Sequence, residues 1–251
     1  MISTVPRSLG IASVLEERRA MAQSVATAVP LISWIEDLKV SRSERHLPNE
    51  VPLVDPADAG TDARFLLLLE APGPMTNAQD ERAGSGFISS DNNDVTAENL
   101  WHARQSSGLV DGVLIWNIVP WYLGLASKKP KVADLQEGAN HLRELIAMLP
   151  ELHTVVTLGN FPRTGWSRFG RTGIGLGIRT IESWHPSPLA MNQLGKRDHL
   201  VASLARASRD WRPGAVADGE IHVDRDRSGM AVAQWYRDAH GDRVEIHPRW
   251  R

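Results

Sequence analysis

The chain has 251 residues, 42% of them hydrophobic, enough to bury the core of one large domain or of a domain with an appendage. A formal net charge of −2 does not mark a nucleic-acid protein, but Arg163, Arg168, Arg171, Arg179, Lys196, Arg197, Arg206, Arg209 and Arg212 give residues 161–212 the local basic bias that a phosphate-facing surface would need. The absence of cysteine excludes disulfides, thiolate nucleophiles and cysteine-ligated zinc or iron–sulfur sites. With no apolar signal segment and no run near the ~20 residues that span a bilayer, a soluble, cytoplasmic protein is expected.

Residues 8–28 read as a helix with Ile11, Val14, Leu15, Met21 and Val25 as its apolar positions, closed by Pro30. Residues 31–42 form a second amphipathic helix, with Ile32, Ile35 and Leu38 on one side. A proline-rich stretch, 48–62, is a connecting loop. Phe65 to Leu69 are five consecutive apolar residues, the pattern of a strand buried on both faces in a parallel sheet. It stops at Glu70-Ala71-Pro72-Gly73-Pro74, where neither proline can donate to a ladder and glycine permits a sharp turn.

Residues 71–93 form a loop whose length points to function. Asp94 or Thr96 caps a helix running to about Ser107. Residues 112–119 are a second buried strand interrupted by one polar residue, Asn117, and ended by Pro120. After a basic loop at 128–131 come a helix at 134–149 and a third strand at 153–158, then Gly159-Asn160 and a short helix. The glycines at 173–177 make a loop beside the basic face, since no strand precedes them as a nucleotide-binding turn would require. A fourth strand at 177–184 ends at His185-Pro186-Ser187-Pro188-Leu189, and a last helix spans 196–209.

Strands alternating with helices predict an α/β fold over residues 1–212, three-layer α/β/α with a central four-stranded parallel sheet and right-handed crossovers. Residues 213–251 alternate apolar and polar around Arg227-Ser228-Gly229 and His240-Gly241-Asp242, which predicts a small C-terminal antiparallel β-hairpin appendage and a candidate oligomer contact. Most of the nine tryptophans are assigned to packing. The nine histidines show no metal-ligand spacing, so neither metal nor cofactor is expected.

Ligands of open α/β sheets sit beyond the carboxyl ends of the strands. Three strand ends meet there: Glu70-Ala71-Pro72-Gly73, Asn117, and His185-Pro186-Ser187-Pro188-Leu189. In this order they resemble the uracil-DNA glycosylase superfamily. The first is similar to the Gly-Glu-Ala-Pro-Gly turn of one bacterial branch, with Leu69 replacing its leading glycine. Leu114-Ile115-Trp116-Asn117 resembles the strand bearing the base-reading asparagine, and the histidine motif resembles the His-Pro-Ser-Pro-Leu loop of the best-known branch. Gly84-Ser85-Gly86-Phe87 falls where the family carries a base-stacking aromatic. The resemblance covers roughly residues 65–209.

It implies a monofunctional DNA glycosylase that removes uracil, or a related deaminated base, and leaves an abasic site. Phe87 would stack on the flipped base, and Asn117 would accept from N3–H and donate to O4, the reverse of what cytosine offers. His185 would donate to O2 as negative charge develops there, and Leu189 would fill the gap left in the duplex. Ala71 stands where the best-known branch has its water-activating Asp. The resemblance therefore implies Asp91 for that task, as in another branch, with Glu70 second; helix capping by Asp94 and a turn at Asp91-Asn92-Asn93 are the structural alternatives. Pro72, Gly73, Ser187, Pro188, Lys196 and Arg197 would face DNA. The branch sharing the Glu-Ala-Pro-Gly motif holds an iron–sulfur cluster, which this chain cannot ligate through thiolates. The alternatives are a catalytically silent nucleic-acid-binding member and an N-glycosidase acting on free nucleosides.

Overall fold

The computed structural model describes residues 3–76, 84–124, 129–171, 178–209, 222–225, 231–237, 241 and 243–246. In chain order the helices are α1 (Ala12–Ser24), α2 (Val29–Glu44), α3 (Val95–Ser107), α4 (Val132–Ala147), α5 (Asn160–Gly165), α6 (Pro188–Met191) and α7 (Lys196–Ala207). The strands are β1 (Leu53–Val54), β2 (Phe65–Leu69), β3 (Phe87–Ile88), β4 (Val113–Asn117), β5 (Thr154–Leu158), β6 (Arg179–Ser183), β7 (His222–Arg225), β8 (Ala231–Arg237) and β9 (Arg243–Ile246).

A strand with no polar interruption needs cover on both faces. Accordingly, β2 lies inside the sheet, between β4 and β5, with Leu66, Leu67 and Leu68 fully buried. The order is β4-β2-β5-β6-β9-β8-β7, the first four strands parallel. From β2 the chain moves one way to β4 through α3, then back across to β5 through α4. Right-handed crossovers in opposite directions put those two helices on opposite faces. Helix α7 packs with α3, and α5 with α4, completing the three layers.

The C-terminal strands are antiparallel, as the alternation predicts, but they continue the central sheet: β9 pairs with β6 at Arg179 and Val244. The turn triplet 227–229, His240, Asp242, Pro213-Gly214, the glycines at 173–177 and Lys128 lie outside the described residues.

Two expectations change. Pro30 does not close the first helix; it sits in the first turn of α2, where a missing N–H leaves no intrahelical bond unmade. The two stretches read as loops contribute a parallel strand pair, Leu53 to Phe87 and Val54 to Ile88. This pair anchors the long segment that follows the β2 exit.

Helix α2 is clamped against α4 and the end of β4. Trp34 packs on Trp116 with ring centroids 5.6 Å apart, and the buried Arg42 guanidinium lies 3.5 Å over the Trp121 ring while donating to Glu137 at 2.8 Å. Pairing of β2 with β4 runs past both strands, because Ile118 N–H donates to the Leu69 carbonyl at 2.8 Å and Val119 N–H to that of Glu70 at 3.1 Å. The Glu70–Gly73 turn is thereby held beside Asn117.

Candidate active site

At the carboxyl ends of β2 and β4 lies a cavity of about 310 Å³. Ala71, Pro72 and Gly73 form one wall, Ile88, Ser89 and Asn92 another, and the first turn of α3 a third. Asn117 and His185 both line it, so the structure brings together the two polar residues that the strand-end pattern singled out.

Asn117 closes β4 opposite Leu69 and is 3% exposed, yet its carboxamide makes no hydrogen bond to any described residue. Its amide group is therefore free to pair with whatever enters the cavity that it lines. His185 follows β6 and abuts Gly159, whose φ of 107° is a conformation that favours glycine; a Cβ there would stand 3.1 Å from the His185 Cβ. The Ser187 N–H donates to His185 Nδ1 at 3.2 Å. Burial first, and the Lys129 charge second, pull the imidazole pKa down to about 4. The ring is therefore neutral at pH 7, and with Nδ1 accepting, its proton resides on Nε2.

Three expected site residues lie off the cavity. Phe87 is 2% exposed, but its ring packs with Leu9 and Ala22; Ile88, the next residue, lines the cavity instead. Successive strand residues face opposite sides, so one cannot stack on a cavity ligand when the other lines it. Asp91 is buried under α1, where Arg18 donates to it at 3.1 Å and to Asp55 at 2.6 Å, and the Ser3 N–H donates at 3.2 Å. Burial and the nearby Asp55 raise its pKa. Glu70 pairs with Lys129 at 3.0 Å outside the cavity lining.

A second ion pair supports the same segment. The Arg104 guanidinium donates to Ser90 Oγ at 2.9 Å and reaches Asp58 at 3.4 Å, while burial pushes the Asp58 carboxyl up to about 7. Asn92 is fixed as well: Ser85 Oγ donates to its oxygen at 2.6 Å, and its amide donates to the Phe87 carbonyl at 2.9 Å. These buried bonds make residues 85–92 a rigid wall rather than a free loop.

Asp94 and Thr96, read from sequence only as helix-capping candidates, line the cavity too. Asp94 is the N-cap of α3, accepting from the Ala97 N–H at 2.9 Å; burial raises its pKa against the lowering effect of the Ala97 and Thr96 N–H groups. The signal that could have found it is positional, since a helix that starts at a sheet's carboxyl edge brings its N-cap to the ligand crevice.

In the segment after His185, Leu189 is 81% exposed at the start of α6, with Ser187 as its N-cap and Pro188 exposed beside it. Trp184 is 40% exposed with Lys196 Nζ 3.7 Å over its ring, and Arg197 is exposed on the next residue. The basic bias is only partly a surface property. Arg179 is fully buried, and its guanidinium caps α7 by donating to the Arg206 and Ala207 carbonyls at 3.1 and 3.0 Å.

With no cysteine in the sequence, the donor set does not fit a thiolate-ligated iron–sulfur cluster. No helix among the described residues is long and apolar enough to cross a membrane. None of the curated proteins compared with the chain matches it. The family model of the uracil DNA glycosylase superfamily matches residues 57–207, which contain β2, β4, β5, β6, Asn117 and His185. This match spans more than half of the chain, on an α/β fold with its cavity at the expected strand ends; the chain belongs to the uracil-DNA glycosylase superfamily, a membership that supports glycosylase-type hydrolysis with DNA as the substrate.

Proposed function

We propose that the protein is a monofunctional DNA glycosylase that excises uracil, or a closely related deaminated base, to leave an abasic site. The observation that carries this reading is the pairing, in one cavity of about 310 Å³, of an unpartnered, 3%-exposed asparagine with a neutral histidine. That volume is at the small end of the ~300–1,000 Å³ range of ligand pockets, which suits a single base taken out of the stack.

Asn117 can accept from uracil N3–H and donate to O4. Cytosine presents the opposite pattern and would leave both groups buried and unpaired, which is how a polar pocket discriminates strongly. As the bond from C1′ to N1 breaks, negative charge grows on the base and reaches O2. The Nε2–H of His185 is a donor suited to it, since the neutral ring accepts from the Ser187 N–H at Nδ1 and keeps its one proton on Nε2. With Phe87 facing away, Ile88 and Leu100 offer the base an aliphatic surface instead of an aromatic one. Leu189, exposed in the segment after His185, is suited to fill the vacated stack, with Ser187, Pro188, Lys196 and Arg197 beside the strand. The outer β7 edge remains a candidate oligomer contact.

The test is incubation with single- and double-stranded oligonucleotides carrying one uracil, followed by alkali. Strand breaks made by the wild type should fall ~10²–10³-fold in His185→Ala, the usual effect of removing one such donor. They should fall at least as far in Asn117→Ala. Salt-sensitive DNA binding without cleavage would favour the silent-binder reading, which draws support from Asp91 and Glu70 both lying off the cavity. Full activity in both variants would overturn the site assignment.

A further inference from the structure

We propose that Asp94 is the catalytic carboxylate that activates the attacking water, a role that rests on the glycosylase reading above. Hydrolysis at C1′ needs a proton acceptor open to the cavity holding the base. Of the three acids near it, Glu70 is tied to Lys129 and Asp91 is shared between Arg18 and the Ser3 N–H, both away from the lining. Asp94 is the one acid, among the described residues, that lines the cavity together with Asn117 and His185.

Its local structure suits the task. The α3 cap fixes the carboxylate through the N–H of Ala97 at 2.9 Å. A carboxylate has about four acceptor sites, so capping leaves lone pairs for a water molecule. Burial raises the Asp94 pKa, which makes the anion a better base than a solvated aspartate, and the Ala97 and Thr96 N–H groups together with the Arg7 charge oppose that rise. Ser89 and Thr96, also in the lining, are hydroxyl partners that can orient the water. The neighbouring Asn92 cannot take this role, because both ends of its amide are already bonded.

The acid and the histidine are also held in register. Asn99, one turn further along α3, donates to the Pro186 carbonyl at 2.9 Å, tying the Asp94 helix to the His185 loop. Asn99 is thus a positioning residue.

In the step itself, the water oxygen bonds to C1′ as the bond from C1′ to N1 breaks. The electron pair of that bond leaves with the base, whose O2 is met by His185. The water proton passes to Asp94, which then gives it to the departing base anion or to solvent, regenerating the carboxylate. The products are an abasic sugar bearing the new hydroxyl and the free base.

Asparagine caps helices as well as aspartate does, so Asp94→Asn separates the two roles of this residue. Under single-turnover conditions with a uracil oligonucleotide, Asp94→Asn should cut ~10²–10⁴-fold more slowly, the range for loss of a general base. It should keep the wild-type melting temperature, bind the uracil oligonucleotide within twofold of wild type, and lose the acid limb of the pH–rate profile. Asp94→Ser, a second good cap, should behave alike. Cleavage within tenfold of wild type in both variants overturns this role alone, and returns it to Asp91 if Asp91→Asn loses the rate. A wild type that cleaves no uracil, hypoxanthine or xanthine oligonucleotide overturns the glycosylase reading and this role together.

Discussion

Burial of a neutral His185 makes a stability prediction that is independent of any substrate. In the unfolded chain a histidine titrates near ~6.5, whereas in the fold this one titrates at about 4. At pH 7 both states are neutral and the group contributes almost nothing to pH dependence. As the pH falls below ~6.5 the unfolded chain takes up a proton that the folded chain refuses, so folding weakens, and the loss stops below the folded pKa. Between pH 7 and pH 5 the difference amounts to about 2 kcal/mol, at ~1.4 kcal/mol per pH unit once the unfolded group is protonated. Urea denaturation followed by tryptophan fluorescence at both pH values, on wild type and His185→Asn, measures it as the extra loss in the wild type. Lys129→Met should shrink that extra loss, since the lysine is the second cause of the shift. Equal losses in wild type and His185→Asn would mean that the imidazole is solvated, and would remove the argument that it enters the reaction neutral.

Arg18→Met should cost ~3–5 kcal/mol at pH 7, because it strands Asp55 and Asp91 as buried carboxylates. Losing the Arg18 charge would raise the Asp91 pKa further in the folded variant, so the deficit should narrow toward pH 5; a deficit unchanged with pH in denaturant titrations would refute the pairing. Gly138→Ala places a Cβ 1.9 Å from the Ile118 carbonyl oxygen, a backbone atom that cannot step aside. Overpacking of this kind costs ~1–3 kcal/mol, and a gain in melting temperature, as expected for an open helix site, would contradict the close approach of α4 to β4. Gly159→Ala should lower cleavage of uracil DNA by more than its stability loss of ~1–3 kcal/mol explains, since the strained backbone and the new methyl group both press on His185. Wild-type cleavage in that variant would show that the histidine does not depend on Gly159 for its position.

Much of the scaffold was legible along the chain, because its signals are local. The unbroken apolar run Phe65–Leu69 required burial on both faces, and the Pro-Gly-Pro that follows could not continue a ladder; that places a turn at the carboxyl edge of a parallel sheet before any partner strand is known. Asn117 stood out for the same reason, as the one polar residue in an apolar strand. What the tertiary structure alone decided depends on distant partners. Phe87 and Ile88 form a two-residue strand whose faces are assigned only once β1 pairs with it, and the aromatic ring then turns toward Leu9 and Ala22. The C-terminal strands could have stood apart, but pairing with β6 added them to the main sheet. Asp91 and Asp94 lie three residues apart in one polar stretch. Their roles divide because Arg18, 73 positions away, draws Asp91 under α1, whereas the start of α3 leaves Asp94 open to the cavity. Local pattern specifies which segments are strands and where they end; which carboxylate lines the cavity depends on an ion pair between segments that only the fold brings together.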